Sequence, residues 1–226
     1  MKIKKTSLIA AVLLCCGAAA YAADAPKPVK LPKPETGGGK PLMQALLERK
    51  STRELDGREL PAQLLSNLLW AAAGVNRQDT GKRTVPSAKD WREVSVYAAT
   101  PKGVYRYNAE ANTLELLVPR EIRPQAKLQP AALAAPVLLM YIADYAKMRD
   151  TKPDQQAFYA AADTGAIAQN VSLFCASEGL GTVVMGGIDK ARLSKELALH
   201  PWQKVILVQP VGYPKGEEQA APAGGK

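Results

Sequence analysis

Three short stretches hold residue types that could do chemistry. In "ERKSTREL", Arg49, Lys50 and Arg53 surround Ser51 and Thr52, just after an apolar helical stretch. A guanidinium fork beside hydroxyls suits a phosphate or another anion. The same cations also suit a solvated helix end, where they meet the negative pole of the dipole. In "RTVPSAKDWR", Pro86 and Ser87 shape a loop that either offers Lys89, Asp90 and Arg92 to heteroatoms or leaves them in water as ordinary loop charges. In "EGLGTVVMGG", Gly186 and Gly187 would let the backbone come close to a flat ligand with N–H groups to donate. Turns use glycine for other reasons too.

Other chemistries find little support. The single histidine, His200, stands beside Pro201, and no His-Glu-x-x-His, cysteine pair or carboxylate–histidine cluster accompanies it. Metal catalysis is therefore poorly served. Gly-x-Ser-x-Gly is missing, and a Ser-His-Asp hydrolase would need His200. Neither a Gly-x-Gly-x-x-Gly after a first strand nor a Walker loop occurs, so a Rossmann or P-loop nucleotide site is unsupported. The formal net charge is +9. That favours anionic ligands or surfaces, but no basic stripe interleaved with aromatics is present, and nucleic acid is discounted as a partner.

The ends of the chain read as processing and spacer segments. Residues 1–22 open with Lys2, Lys4 and Lys5, continue with the apolar run "LIAAVLLCCGAAA", and close on Ala20-Tyr21-Ala22. This is the pattern of a secretory signal peptide with a small-x-small cleavage site. The run is short of the about 20 apolar residues a membrane span needs. The expectation is an exported, periplasmic protein with no transmembrane segment after processing. Cys15 and Cys16 would leave with the signal, so Cys175 stands alone and no intrachain disulfide can form. Its apolar helical surroundings read as those of a buried, inert thiol. Residues 23–40, rich in Pro, Lys and Gly, are expected to form an extended tether, and residues 215–226 a disordered tail. The compact domain spans 41–214.

The elements that must position the three stretches are legible from periodicity. "PLMQALLER" is an amphipathic helix. "PAQLLSNLLWAAAG" is a second, with Pro61 at its start and Gly74 at its stop. "EVSVYAAT" and the two arms of "GVYRYNAEANTLELLVP" read as strands, the latter pair around a turn at Asn108–Asn112. "APVLLMYIAD" is continuously apolar, which predicts a central strand covered on both faces. Residues 157–180 form a long helix, mostly apolar all round, buried in part against a second subunit. "GTVVMGGI" is a short strand or loop, "DKARLSKELAL" a helix capped by Asp189, and Lys204–Val211 a closing strand. Strict βαβ alternation is absent. The predicted class is α+β, a largely antiparallel sheet covered by helices.

Taken together, these stretches resemble the flavin-dependent nitroreductase family over residues 41–214. "ERKSTREL", "RTVPSAKDWREVSVYAA", "DTGAIAQNVSLFCASEGLGT" with "VVMGGI", and "VILVQPVGYP" carry the match. "GVYRYNAEANTLELL" resembles the hairpin of the branch related to the dehydrogenases of peptide-thiazoline maturation. The resemblance implies FMN, a homodimer with its flavins at the subunit interface, and a small-molecule electron donor and acceptor. The family's Arg-x-Ser-x-Arg pattern falls on Arg49, Ser51 and Arg53, with Lys50 between them. This implies contacts to the FMN phosphate, ribityl chain and pyrimidine edge. The Pro-Ser-x-x-Asn-x-Gln pattern falls on Pro86, Ser87, Asp90 and Arg92, so an aspartate replaces the asparagine and an arginine the glutamine. An ionised aspartate has no N–H to donate, so either its contact to the flavin ring differs or Lys89 or Arg92 fills it. The family's backbone donor near flavin N5 falls on Gly186-Gly187, and its basic residue after the final Gly-Tyr-Pro on Lys215. The implied reaction is two-electron transfer through flavin N5 to a flat conjugated acceptor such as a nitroaromatic or quinone, with no side-chain acid or base required. Two other readings stay open: an exported flavin-binding electron relay, and a non-catalytic interaction domain.

Overall fold

The apolar run from Val137 to Asp144 becomes the strand around which the other elements are arranged. The structure, a computed structural model, describes residues 26–216. In chain order the elements are β1 (Val29–Lys30), α1 (Leu42–Glu48), α2 (Ala62–Ala73), β2 (Val75–Arg77), β3 (Lys82–Arg83), β4 (Val94–Thr100), β5 (Gly103–Asn108) and β6 (Thr113–Val118). There follow α3 (Pro130–Leu133), β7 (Val137–Asp144), α4 (Pro153–Ser177), β8 (Gly181–Thr182), α5 (Lys190–Glu196) and β9 (Gln203–Gly212). Single 3₁₀ turns lie at Ala88–Asp90, Arg123–Ala126 and Tyr145–Met148.

Seven strands form one sheet in the order β1-β6-β5-β4-β7-β9-β8, and every pairing is antiparallel. β2 and β3 make a separate small hairpin. The pleat of β7 sends alternate residues to opposite faces. Val137, Leu139, Tyr141 and Ala143 join a core with Leu68, Leu69 and Ala72 of α2 and Ile167 and Val171 of α4. Leu138, Met140 and Ile142 join a second core with Ile122, Ala126 and Leu193 of α5. The sheet is therefore covered on both sides, as the uninterrupted apolar run requires. The α+β expectation holds, and so does a central strand buried on both faces.

Local signals set the element ends. α2 begins after Pro61 and stops at Gly74, whose N–H donates to Trp70 O. Asp189 caps α5 by accepting from Arg192 N. α4 runs from Pro153 to Ser177, a few residues earlier than read from sequence. Only one side of it is buried in this chain: Asp163, Thr164, Ile167, Ala168 and Val171 face inward, while Phe158, Ala161, Ala162 and Gly165 are exposed.

One boundary needs correction. Part of the stretch expected to be a tether is built into the fold. Val29 and Lys30 pair with Leu114 and Thr113, and Leu31 is buried in the main core. The carbonyls of Pro32 and Lys33 accept from Ser66 and Gln63 of α2, and Lys40 N donates to Ser177 Oγ at the end of α4. Backbone hydrogen bonds and one well-placed leucine hold the segment despite its composition. The expected signal peptide at 1–22 and the tail beyond Gly216 lie outside the described residues. Among the described residues, no helix is long and apolar enough to cross a membrane.

Candidate functional site

The Arg49–Arg53 stretch leaves α1 in an extended conformation and is pinned to the far edge of the sheet. Thr52 N donates to Thr182 O of β8 at 2.8 Å, and Asp56 N to Tyr213 O at 2.9 Å. Leu55 is buried and forms an isolated bridge with Pro214. Gly181 is what allows this approach. A Cβ there would lie 2.6 Å from Leu55 Cδ2 and 2.8 Å from Thr52 Cγ2. With Leu55 turned in, Arg49, Lys50, Ser51 and Arg53 are left on the surface. Lys215 N donates to Glu54 O at 3.0 Å, so the last predicted cation lies alongside the same strip. Among the described residues, Arg49, Arg53 and Lys215 make no ion pair. The Ser51 hydroxyl beside these three cations fits an anion such as the phosphate of FMN.

The Pro86–Arg92 loop is a tight turn with an unusual backbone. Lys89, Asp90 and Arg92 all have positive φ, at 50°, 56° and 49°. Such conformations cost about 1–3 kcal/mol each for non-glycine residues and persist only where surrounding bonds impose them. Those bonds are present. Ala88 N donates to Asp163 Oδ2 at 2.9 Å, Arg92 N to Ser87 Oγ at 2.8 Å, and Lys147 Nζ to Arg92 O at 2.7 Å. Ser87 Oγ in turn donates to Glu93 Oε2 at 3.1 Å. Asp90 and Arg92 form a bidentate pair. This pairing lowers the Asp90 carboxyl below its usual range and raises the Arg92 guanidinium. Arg92 is thus committed to Asp90, and Lys89 sits over the Trp91 ring at 5.1 Å.

Beneath the loop lies a cavity of about 290 Å³, lined by Pro86, Ser87, Asp90, Arg92, Glu93 and Asp163 and closed by Arg77, Lys82 and Arg83 of the β2–β3 hairpin. Glu93 is fully buried. Burial pushes its carboxyl up to about 6, its own backbone N–H opposes that rise, and the neighbouring Asp163 charge adds to it. Glu93 Oε1 and Arg83 Nε are buried without a hydrogen-bond partner. Burial, and then the nearby Arg92 charge, pulls the Arg83 guanidinium down. Neither Glu93 nor Asp163 stood out in the sequence. Glu93 closes a charged run, Asp163 follows three alanines, and only the fold places them on one cavity.

The predicted residues do not converge within one chain. Lys50 and Thr52 line a different cavity, of about 450 Å³, with Ser172, Cys175, Thr182 and Pro214. Gly186 and Gly187 line neither cavity. They follow Met185, which bridges to Val208, and both are exposed. A Cβ at Gly187 would meet nothing within 4 Å, so no packing in this chain explains that glycine. The backbone there is open to a flat ligand.

Comparisons with known proteins identify the family and its fold. The model of the Nitroreductase family matches residues 46–213. The "Putative nitroreductase MJ1384" of Methanocaldococcus jannaschii is 30% identical over 181 residues, which is 76% of this chain and 90% of that protein. The crystal structure of a "putative nitroreductase" from Ralstonia eutropha JMP134 superposes with a TM-score of 0.79 at 38% identity, covering 84% of this chain and 90% of that one. The Escherichia coli microcin synthetase complex McbBCD contains a chain of the same fold, with a TM-score of 0.65 at 17% identity, covering 91% of this chain and 84% of that one. Matched from the cationic strip through to Tyr213, the chain belongs to the nitroreductase family, whose members are FMN-dependent oxidoreductases.

Proposed function

We propose that this chain is an exported FMN oxidoreductase that passes two electrons to a flat conjugated acceptor such as a nitroaromatic or a quinone. The observation that carries this reading is the strip of Arg49, Ser51, Arg53 and Lys215, held at the sheet edge, whose three cations make no ion pair among the described residues. When bound there, FMN supplies the two-electron chemistry. Arg53 and Lys215 would hold its phosphate, and Ser51 its ribityl chain. Arg49 would meet the pyrimidine edge, where a fixed cation favours negative charge. The backbone at Gly186-Gly187 would lie open to the ring near N5.

A second copy of the chain would complete the site. Lys50 and Thr52, beside the strip, and the Pro86–Arg92 loop line separate cavities in one chain. Two apolar surfaces also lack cover: Met43 and Leu47 of α1 are 75% and 86% exposed, and Phe158 of α4 is 67% exposed. A homodimer built on these helix faces would bury them and bring the loop of one copy towards the strip of the other. The β5–β6 hairpin supports placing the chain near the thiazoline-maturation branch. Export rests on the Lys-rich start, the apolar run and Ala20-Tyr21-Ala22. Intact mass of protein from the cell envelope should show loss of residues 1–22.

The deciding experiment is anaerobic stopped flow on the purified mature protein, after light scattering and a visible spectrum. A yellow dimer is expected. Its chemically reduced flavin should be reoxidised by a quinone or nitroaromatic at a saturable rate above that of free FMN. A flavin-loaded monomer would reject the shared site. Reoxidation no faster than free FMN would move the reading to an electron relay.

A further inference from the structure

The Pro86–Arg92 loop rests on two buried acids that no step of the proposed reaction uses. Asp163, on α4, takes the Ala88 N–H, and Glu93, at the foot of β4, takes the Ser87 hydroxyl. Asp163 is 8% exposed and Glu93 not at all. Both carboxyls line the same cavity, and after burial the Asp163 side chain adds to the rise of the Glu93 carboxyl. Two ionised carboxylates so placed have only lone pairs to present, and the buried Glu93 Oε1 is indeed without a donor. Like charges in a shared buried site cannot both persist cheaply. A single proton turns the repulsion into an O–H···O bond and supplies the missing donor.

We propose that Glu93 and Asp163 hold one proton between them, and that this proton keeps the Pro86–Arg92 loop in its left-handed path. Both are positioning residues, acting through Ser87 and Ala88. Other charges around Glu93 do not remove the need for the proton. Lys147, on the 3₁₀ turn after β7, is spent on Arg92 O. Asp144, whose N–H donates to Glu93 O, directs its carboxylate to Ala146 N. Arg92 is paired with Asp90. Arg77, Lys82 and Arg83 line the same cavity, and no hydrogen bond or ion pair joins them to Glu93 among the described residues.

The sign follows from the direction of the shift. Glu93 binds its proton more tightly in the folded loop than at its ordinary value of 4.5, with a carboxyl near 6. The locking contribution is complete below 4.5 and is lost as pH rises through 6. This interval limits the effect on loop opening to about 30-fold.

Trypsin can test this directly, because Lys89 and Arg92 are cleavage sites within the loop. Cleavage rates after these residues are measured by mass spectrometry from pH 5.5 to 8 on wild type, Glu93→Gln and Asp163→Asn. Glutamine keeps an acceptor for Ser87 and donates permanently to Asp163. Asparagine keeps an acceptor for Ala88 and removes the like charge. The wild-type rate divided by either variant's rate should climb with pH, by about 4-fold between pH 5.5 and 8, since the protease's own pH response cancels in the ratio. Ratios flat with pH, or variants cleaved faster than wild type at pH 8, would overturn the proposal. Its bearing on the cofactor rests on the proposed function, and there FMN titrations should show wild type weakening with pH relative to Glu93→Gln. Absence of FMN binding at every pH would defeat the proposed function and leave the cleavage result to decide the pair.

Discussion

Arg92 grips Asp90 with both arms of its guanidinium, Nε to Oδ1 and Nη2 to Oδ2, each at 2.9 Å. These are the two positions that the resemblance sets against an Asn-x-Gln pattern, and here their side chains pair with each other. Asp90→Asn breaks the charge pairing and restores an N–H donor at the loop. FMN affinity should rise about 2- to 12-fold, the worth of one net hydrogen bond. Fluorescence-quench titration measures it, and equal or weaker affinity would argue against a ring contact at Asp90.

Arg53→Ala tests the cationic strip. Losing charge-assisted contacts to a phosphate should weaken FMN binding about 10- to 150-fold. Riboflavin, which lacks the phosphate, should bind the variant and wild type alike. A matching loss for riboflavin would place Arg53 elsewhere on the cofactor.

Gly181→Ala tests how the strip is held. The added methyl enters the space of Leu55 Cδ2 and Thr52 Cγ2. Overpacking of this kind costs about 1–3 kcal/mol, which lowers Tm by roughly 2–12 °C for a domain of this size. Calorimetry should show this in flavin-free protein, together with weaker FMN binding as the strip shifts. An unchanged Tm would mean the segment from Thr52 to Leu55 moves freely.

Leu31→Ala tests the segment expected from composition to be a free spacer. Leu31 is buried in the main core, and truncation should cost about 2–5 kcal/mol. Val29→Ala, at a side chain half exposed in the same strand, should cost within about 0.5 kcal/mol. Denaturant titration separates the two cases. Equal, small losses would restore the spacer reading.

Legibility in the sequence tracked the range over which a signal acts. β7 announced itself through an unbroken apolar run, α2 through Pro61 and Gly74, and α5 through Asp189, all local features. β1 was missed because its partner, Leu114, lies far along the chain and its neighbours are prolines and lysines. The β2–β3 hairpin, "VNRQDTGKR", has the composition of a charged loop. At the site, the Arg49–Arg53 strip and the Pro86–Arg92 loop were legible as motifs. Their placement in separate cavities was not, since that depends on which faces of α4 and the sheet they reach. Glu93 and Asp163 pair across the fold, and neither carries a mark of its own.

The sheet's two ends decide how the molecule can meet others of its kind. An open strand edge is a template for addition of another chain. Here β1 covers the start of β6 for two residues, Leu117 is an extra residue that bulges the rest of that strand, and Pro119 follows directly. At the other end β8 is only two residues long, and Thr52 already occupies the Thr182 carbonyl. Neither margin offers a long flat ladder for fibril-like stacking or strand exchange. Self-association is thereby channelled to the helical faces, where side chains rather than backbone choose the partner.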